Sequence, residues 1–172
     1  MQQRAVPLGF QNIASLAAAT GLILPVGAQQ ASGSSCSLLG KQLTVGGSVT
    51  GSFAIGQVVQ GSGIPANTYI TQQGTPGTNT WWLSNSATTG SAIAVTAYQA
   101  LRVDFAIIRC TGGASVNWRD DGGVPTGAEG GGVPMLDTDP PFEYTGDLAA
   151  IQFIEASGST PTLQVSYYSL SG

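Results

Sequence analysis

Frequent glycine and proline residues divide this chain into short segments, and this division restricts the possible folds more than any other feature of the sequence. The 172 residues include 25 glycines and 9 prolines. The short apolar or alternating runs between them, bounded by Gly, Pro, Asn and Ser, are typical of β-strands joined by turns. One segment favours a helix, the alanine-rich window Gln11–Thr20 that ends at Gly21. The sequence as a whole predicts an all-β fold.

The predicted strands follow the runs between turn residues. The last of them alternates Leu163, Val165 and Tyr167 with Gln164 and Ser166, which predicts one buried and one wetter face. In chain order the predicted strands are Gly21–Pro25, Gln42–Val45, Gln57–Gln60, Tyr69–Gln72, Thr80–Leu83, Ala92–Ala97, Arg102–Arg109, Ser115–Arg119, Phe142–Tyr144, Ala150–Glu155 and Thr162–Tyr168.

Charged side chains are scarce, and this excludes several classes of function. The chain has 5 basic and 9 acidic residues, no histidine and a net charge of −4. No cluster of Lys and Arg is present to neutralise phosphates, so we expect no nucleic-acid partner. Histidine, the commonest general base and metal ligand, is absent. With 8% charged residues, against roughly 25% in typical proteins, the surface is expected either to consist of Ser, Thr, Gln, Asn and exposed backbone or to be covered by neighbouring subunits.

The charges are also unevenly distributed, which indicates two regions. All nine acidic residues lie between Asp104 and Glu155, whereas Ser32–Tyr98 is nearly uncharged and opens with a flexible SGSS run at Ser32–Ser35. Such a run is expected at a loop tip that accepts an insertion. We therefore predict a discontinuous β-sandwich base formed by residues 1–30 and 99–172, with an outward-facing β module inserted at residues 31–98.

Neither the cysteines nor the apolar segments indicate a metal or a membrane. Cys36 and Cys110 are either two buried thiols or a disulfide pair, and two cysteines without histidine make no zinc site. No apolar run reaches the ~18 residues that span a bilayer. The stretch Ala14–Ala28 loosely imitates a signal peptide, but its polar and turn residues predict that it is retained.

Several loops carry candidate functional residues. Asp120–Gly123 predicts a tight turn, with an alternative in which Arg119 and an aspartate contact a neighbouring subunit. Gly127–Gly132 is interpreted as a mobile loop or an arm that orders against a partner. Asp137–Pro141 with Glu143 resembles a calcium loop only loosely, and a solvated loop is the preferred interpretation.

No residues are predicted to be catalytic or to bind a cofactor. Ser and Thr lack an activating base or a nucleophile elbow. The one catalytic possibility left open is a glycosidase-like pair of carboxylates, Asp120 or Asp121 with Asp147 or Glu155. The predicted partner interface consists of Trp118, Arg119, Asp120, Asp121, Glu129, Tyr144 and Asp147. Trp81 and Trp82 are adjacent on a predicted strand, so either one of them faces outward or into an interface, or both lie in a two-sided core. Both are candidates for an outward-facing contact.

Two groups of motifs resemble bacteriophage proteins. IGQVVQGSGIPANTYIT (Ile55–Thr71) with GTPGTNTWWLS (Gly74–Ser84) is similar to a small β module of phage structural and tail-associated proteins, although Trp81-Trp82 replaces the usual Tyr-Thr. A family of small tailed-phage virion proteins has four motifs that this chain resembles in the same order: LPVGA (Leu24–Ala28), VNWRDDGGVPT (Val116–Thr126), YTGDLAAIQFI (Tyr144–Ile154) and LQVSYY (Leu163–Tyr168). The two resemblances cover roughly three quarters of the chain.

The resemblance implies a jelly-roll-like β-sandwich in a non-enzymatic virion structural protein. The favoured expectation is a homotrimeric capsid decoration, or cement, protein on the capsid exterior that binds the major capsid protein. The alternative is a tail, baseplate or fibre-tip component whose inserted module contacts a host-surface glycan. A secreted adhesin-like module would be a third class, if the N-terminal segment were a signal.

Overall fold

The computed structural model describes residues 4–14, 16–156 and 160–171, and in these residues all regular structure is β-strand. The all-β prediction is confirmed. The helix predicted over Gln11–Thr20 is wrong: the first strand, β1, runs through Arg4–Ile13, and β2 begins at Thr20. Helix propensity is a weak preference. Antiparallel pairing overrides it at both ends of the window, where Gln11–Ile13 pair with β13 (Thr162–Ser171) and Thr20 pairs with β12 (Gln152–Glu155).

The chain divides into two compact units, Met1–Pro25 with Arg102–Gly172 and Val26–Leu101. We call them the sandwich unit and the insert unit. The predicted boundaries lay at residues 30/31 and 98/99. The insert unit is longer at both ends than predicted, because Val26 pairs with Ala100 and Gln29 with Tyr98 in its sheet.

Two antiparallel four-stranded sheets form the sandwich unit. One has the order β1-β13-β8-β11 and the other the order β10-β9-β12-β2. Counted along this unit alone, the orders are 1-8-3-6 and 5-4-7-2, which is the topology of a jelly roll. Besides β1, the strands are β2 (Thr20–Gly21), β8 (Phe105–Thr111), β9 (Ser115–Arg119), β10 (Val133–Leu136), β11 (Phe142–Tyr144), β12 (Gln152–Glu155) and β13 (Thr162–Ser171).

The inner faces of these two sheets share one hydrophobic core. On β13, Leu163, Val165 and Tyr167 are buried while the residues between them are half-buried, so the predicted alternation is confirmed. The Tyr167 hydroxyl donates a 2.6 Å hydrogen bond to Oε1 of Gln11 on β1. Burial raises the pKa of Tyr167. The sequence segment that imitates a signal peptide contributes Leu16 and Leu22 to this core.

The insert unit has a five-stranded antiparallel sheet and a core of its own. Its two long strands, β3 (Val26–Thr44) and β7 (Thr80–Ala100), pair along their length through several β-bulges. Shorter strands flank them, namely β4 (Val49–Gly51), β5 (Val58–Gly61) and β6 (Ile70–Gln73). The SGSS run predicted as a flexible loop tip lies inside β3, where Ser32 pairs with Thr96.

Both cysteines are free and buried, one in the core of each unit. The interpretation of two buried thiols is therefore confirmed, and the disulfide alternative is wrong. Within the described part of the chain, no helix is long and apolar enough to cross a membrane.

Candidate partner-binding surface

The turn after β9 holds the charged part of the predicted interface. Asp121 accepts a 3.0 Å hydrogen bond from the backbone N–H of Gly123, and Gly122 adopts a φ of 80°. This geometry confirms the predicted tight turn, in which glycine supplies the left-handed conformation. Arg119 donates from Nε and Nη2 to the two carboxylate oxygens of the same Asp121, at 3.0 and 2.6 Å.

The Arg119–Asp121 fork sets the electrostatics of the turn. Hydrogen bonds from Arg119, followed by the one from Gly123, lower the pKa of Asp121 to about 2. The same pairing raises the pKa of Arg119. Both side chains are solvent-accessible, with 39% and 57% of their surface exposed. The alternative interpretation had Arg119 and an aspartate contact a neighbouring subunit, whereas here Arg119 and Asp121 of the same chain pair with each other.

Beside this fork lies an aromatic cluster that joins the two sheets of the sandwich unit. Trp118 on β9 stacks on Phe142 of β11 with ring centroids 5.7 Å apart, and Tyr144 meets both rings edge-on at 6.1 and 6.2 Å. The Tyr144 hydroxyl donates a 3.0 Å hydrogen bond to Oδ2 of Asp120. Burial, followed by the hydrogen bond to Asp120, raises the pKa of Tyr144 to about 12.

Trp118 separates two clefts. One, of about 340 Å³, is lined by Trp118, Arg119, Asp120, Asp121, Gly130, Gly132 and Val133. The other, of about 170 Å³, lies between Trp118, Pro134, Met135, Asp139, Pro140 and Phe142. Exposed aliphatic side chains belong to the same segments, with Val124, Val133 and Leu136 at 63%, 52% and 47% exposure.

Asn117 is the residue of this surface that sequence analysis missed. It is buried on β9, and its Nδ2 donates to the carbonyls of Thr126 and Ala128 at 2.8 and 3.1 Å. Thr126 N–H also bonds the Gly131 carbonyl. The Gly127–Gly132 loop, interpreted as mobile or as an arm, is therefore folded against its own unit. A polar residue between Val116 and Trp118 in a buried strand is the signal that could have revealed it.

Of the seven predicted interface residues, Trp118, Arg119, Asp120, Asp121 and Tyr144 are brought together by the contacts above. Asp147 caps the next turn through a 2.9 Å bond from the Ala149 N–H, and its charge contributes to the raised pKa of Tyr144. Glu129 is exposed on the loop held by Asn117 and takes part in none of these contacts.

The loosely calcium-like segment is organised as a turn. Oδ2 of Asp139 accepts a 2.8 Å hydrogen bond from the Leu136 N–H, and the Asp139 N–H bonds the Leu136 carbonyl in return. Among the described residues, no three of His, Cys, Asp or Glu are grouped closely enough to hold a metal ion.

Trp81 and Trp82 lie on β7 in the insert unit and point to opposite faces of its sheet. Trp81 packs against the core, with its ring centroid 6.5 Å from that of Phe53, while Trp82 is 42% exposed. The interpretation in which one of the pair faces outward is confirmed.

In the sandwich unit, then, an internally paired Arg–Asp fork and a packed aromatic cluster border two clefts flanked by aliphatic side chains. Large aromatic and arginine side chains beside apolar ones are the composition of protein-binding surfaces. Comparison of the chain with protein-family models, with curated protein sequences and with solved structures finds no match.

Proposed function

We propose that this chain is a non-enzymatic structural protein of a tailed-bacteriophage particle, a capsid decoration protein. In this role the sandwich unit binds the assembled major capsid protein from the capsid exterior. Copies of the chain associate as a homotrimer. The phage-like motifs that bracket the jelly roll support the class of protein, and the surface around Trp118 supports the binding role.

The observation that carries the proposal is the surface formed by the Trp118 clefts and the exposed Val124, Val133 and Leu136. Exposed aliphatic side chains around a fixed tryptophan favour association with another protein surface. Because Arg119 and Asp121 already neutralise each other, covering them leaves no unpaired charge. That lowers the desolvation cost of binding.

The chemistry of the same residues is poorly suited to catalysis. Asp121, with a pKa of about 2, is a very weak base, and Tyr144, with a pKa of about 12, keeps its proton near neutral pH. General acid–base catalysis is most effective when the group titrates near the working pH. Neither group is therefore suited to general acid–base catalysis near neutral pH.

Decoration of a shell needs only modest affinity at each site. A protein that binds the assembled lattice and not its free subunits stabilises the assembly by mass action. A trimer that contacts several capsid subunits together adds avidity without a strong single contact. A small, charge-poor β protein meets these requirements.

A tail, baseplate or fibre-tip position is the second candidate. The observation that favours it is the aromatic cleft of the insert unit around Trp81, because in this role the insert unit contacts a host-surface glycan. Cosedimentation of the chain with purified heads and with purified tails of its phage separates the two candidates.

A matched pair of variants tests the Trp118 surface in the same cosedimentation experiment. Val133→Glu places a charge in the Trp118 cleft, whereas Ile23→Glu makes the same change at a site of equal exposure next to β2, on the opposite edge of that sheet from β10. We expect the wild type and Ile23→Glu to sediment with heads and Val133→Glu to remain in the supernatant. Binding to tails alone, or loss of binding in Ile23→Glu only, would contradict the proposed surface.

A further inference from the structure

The insert unit contains a cleft of about 380 Å³, lined in part by Val49, Ser52, Phe53, Gln73, Asn79 and Trp81. Small-molecule sites have volumes of roughly 300–1,000 Å³ and combine apolar walls with a few polar groups. Trp81 forms the aromatic wall of this cleft, and the buried Phe53 supports it from the core. The cleft therefore has the volume and the apolar lining of a small-molecule site.

The polar groups of the cleft are positioned by backbone pairing while their side chains remain available. Gln73 is paired with Trp81 across β6 and β7, and the Asn79 carbonyl accepts a 2.7 Å hydrogen bond from the Val45 N–H. In the part of the chain that the structure describes, no hydrogen bond engages the side-chain amide of Gln73 or Asn79. Each amide offers both donors and an acceptor to a ligand.

The turn between β6 and β7 is also preformed. Gly74 N–H donates to the Thr80 carbonyl at 2.8 Å, and the hydroxyls of Thr78 and Thr80 lie 2.6 Å apart. These bonds fix the segment that carries Asn79 before any ligand arrives. A preorganised site loses little conformational entropy on binding.

Charge restricts the class of ligand. The segment Val26–Leu101 contains one charged residue, Lys41, and it is not among those lining the cleft. A carboxylate, phosphate or ammonium group would find no ion-pair partner there. The cleft thus suits an uncharged ligand that has both an apolar face and many hydroxyls.

We propose that the Trp81 cleft binds a neutral carbohydrate. A pyranose ring presents polarised C–H groups on one face, which pack on the electron-rich face of an indole. Its hydroxyls both donate and accept hydrogen bonds, which matches the amides of Gln73 and Asn79. Trp82, on the other face of β7, takes no part. This inference does not rest on the decoration role, and it names the ligand class for the glycan contact of the second candidate function.

The test uses the ¹⁵N-labelled full-length protein and its three tryptophan indole N–H signals, assigned with single Trp→Phe variants. The probes are the neutral hexasaccharides of α-1,4-glucose, β-1,4-glucose, α-1,6-mannose and β-1,4-galactose, together with an anionic oligogalacturonate. We expect at least one neutral probe to shift the Trp81 signal at millimolar concentration. The signals of Trp82 and Trp118 should stay in place, and oligogalacturonate should be without effect.

Variants locate the binding. The double change Gln73→Ala with Asn79→Ala removes only exposed amides without hydrogen-bond partners among the described residues, so the fold is expected to persist. It should weaken binding by at least about tenfold. Gln72→Ala, on the same strand but outside the cleft, should bind like the wild type. A Trp81 signal that no neutral probe shifts, binding that survives the double change, or equal binding of oligogalacturonate would overturn the proposal. None of these outcomes depends on capsid binding.

Discussion

Contacts of single side chains determine the shape of the candidate surface, and only some of these contacts can be predicted from the sequence. The turn at Asp120–Gly123 is local, so adjacent aspartates and glycines predicted it. The Tyr144–Asp120 hydrogen bond and the stacking of Trp118 on Phe142 join residues from different strands and could not be predicted from spacing. Asn117 was overlooked because its partners are backbone carbonyls, which carry no sequence signal.

Removal of the Asn117 amide should destabilise the sandwich unit. In Asn117→Ala the Thr126 and Ala128 carbonyls lose their donor, and the loss of these part-buried hydrogen bonds should cost about 1–3 kcal/mol. We expect urea denaturation to show a loss of that size. The control, Asn12→Ala, changes an exposed asparagine on β1 and should stay within about 0.5 kcal/mol of the wild type. Equal stability of both variants would contradict the role given to Asn117.

The Arg119–Asp121 fork should make the stability of the protein sensitive to acid. The pKa of Asp121 is lowered from 3.8 to about 2 in the folded state. Its contribution to the free energy of unfolding is therefore complete above pH 3.8 and is lost as the pH falls through 2. Denaturation curves between pH 4 and pH 2 should show a smaller decline in Asp121→Asn and in Arg119→Gln than in the wild type. A decline of unchanged size in either variant would count against the fork.

At the scale of elements, strands bounded by clear turn residues were predicted well. Ser115–Arg119 and Phe142–Tyr144 have the predicted bounds. The long strands β3 and β7 were predicted only in fragments because their middle parts are rich in Gly, Ser and Thr. What makes them strands is pairing with each other across the insert unit, and long-range pairing outweighs local preference.

The short strand β4 provides a test of backbone conformation in the insert unit. Gly51 has a φ of 71°, and a Cβ atom there would collide with the Gln30 carbonyl oxygen. Gly56 has a φ of 87° but faces open space. We expect Gly56→Ala to cost about 1 kcal/mol from the left-handed conformation alone. Gly51→Ala should cost about 1–3 kcal/mol more because the chain must move. Thermal unfolding of both variants measures the difference, and equal costs would contradict the close approach of β4 to β3.

At the scale of the whole molecule, the shift in charge near residue 104 indicated the existence of two regions, and the strand pairing sets where they begin and end. Each unit has a separate hydrophobic core. Because Val26 pairs with Ala100, the chain enters and leaves the insert unit at neighbouring points. A unit inserted in this way adds little to the loop-closure entropy that the sandwich unit loses on folding.

The sandwich unit should therefore fold without the insert unit. Replacement of Val26–Leu101 by a bridge of a few glycines and serines should leave a protein that unfolds in one cooperative calorimetric transition, because all eight strands of the jelly roll remain. A broad transition with strong binding of a hydrophobic dye would mean that the sandwich unit depends on the insert.

The decoration role is tested most directly by gold-antibody labelling of intact phage particles, viewed by electron microscopy. If the chain binds the assembled capsid lattice, label should cover the whole head at many regularly spaced sites. Preincubation of the antibody with the purified chain should remove the label. Label confined to the tail or its tip would contradict the decoration role and favour the tail alternative.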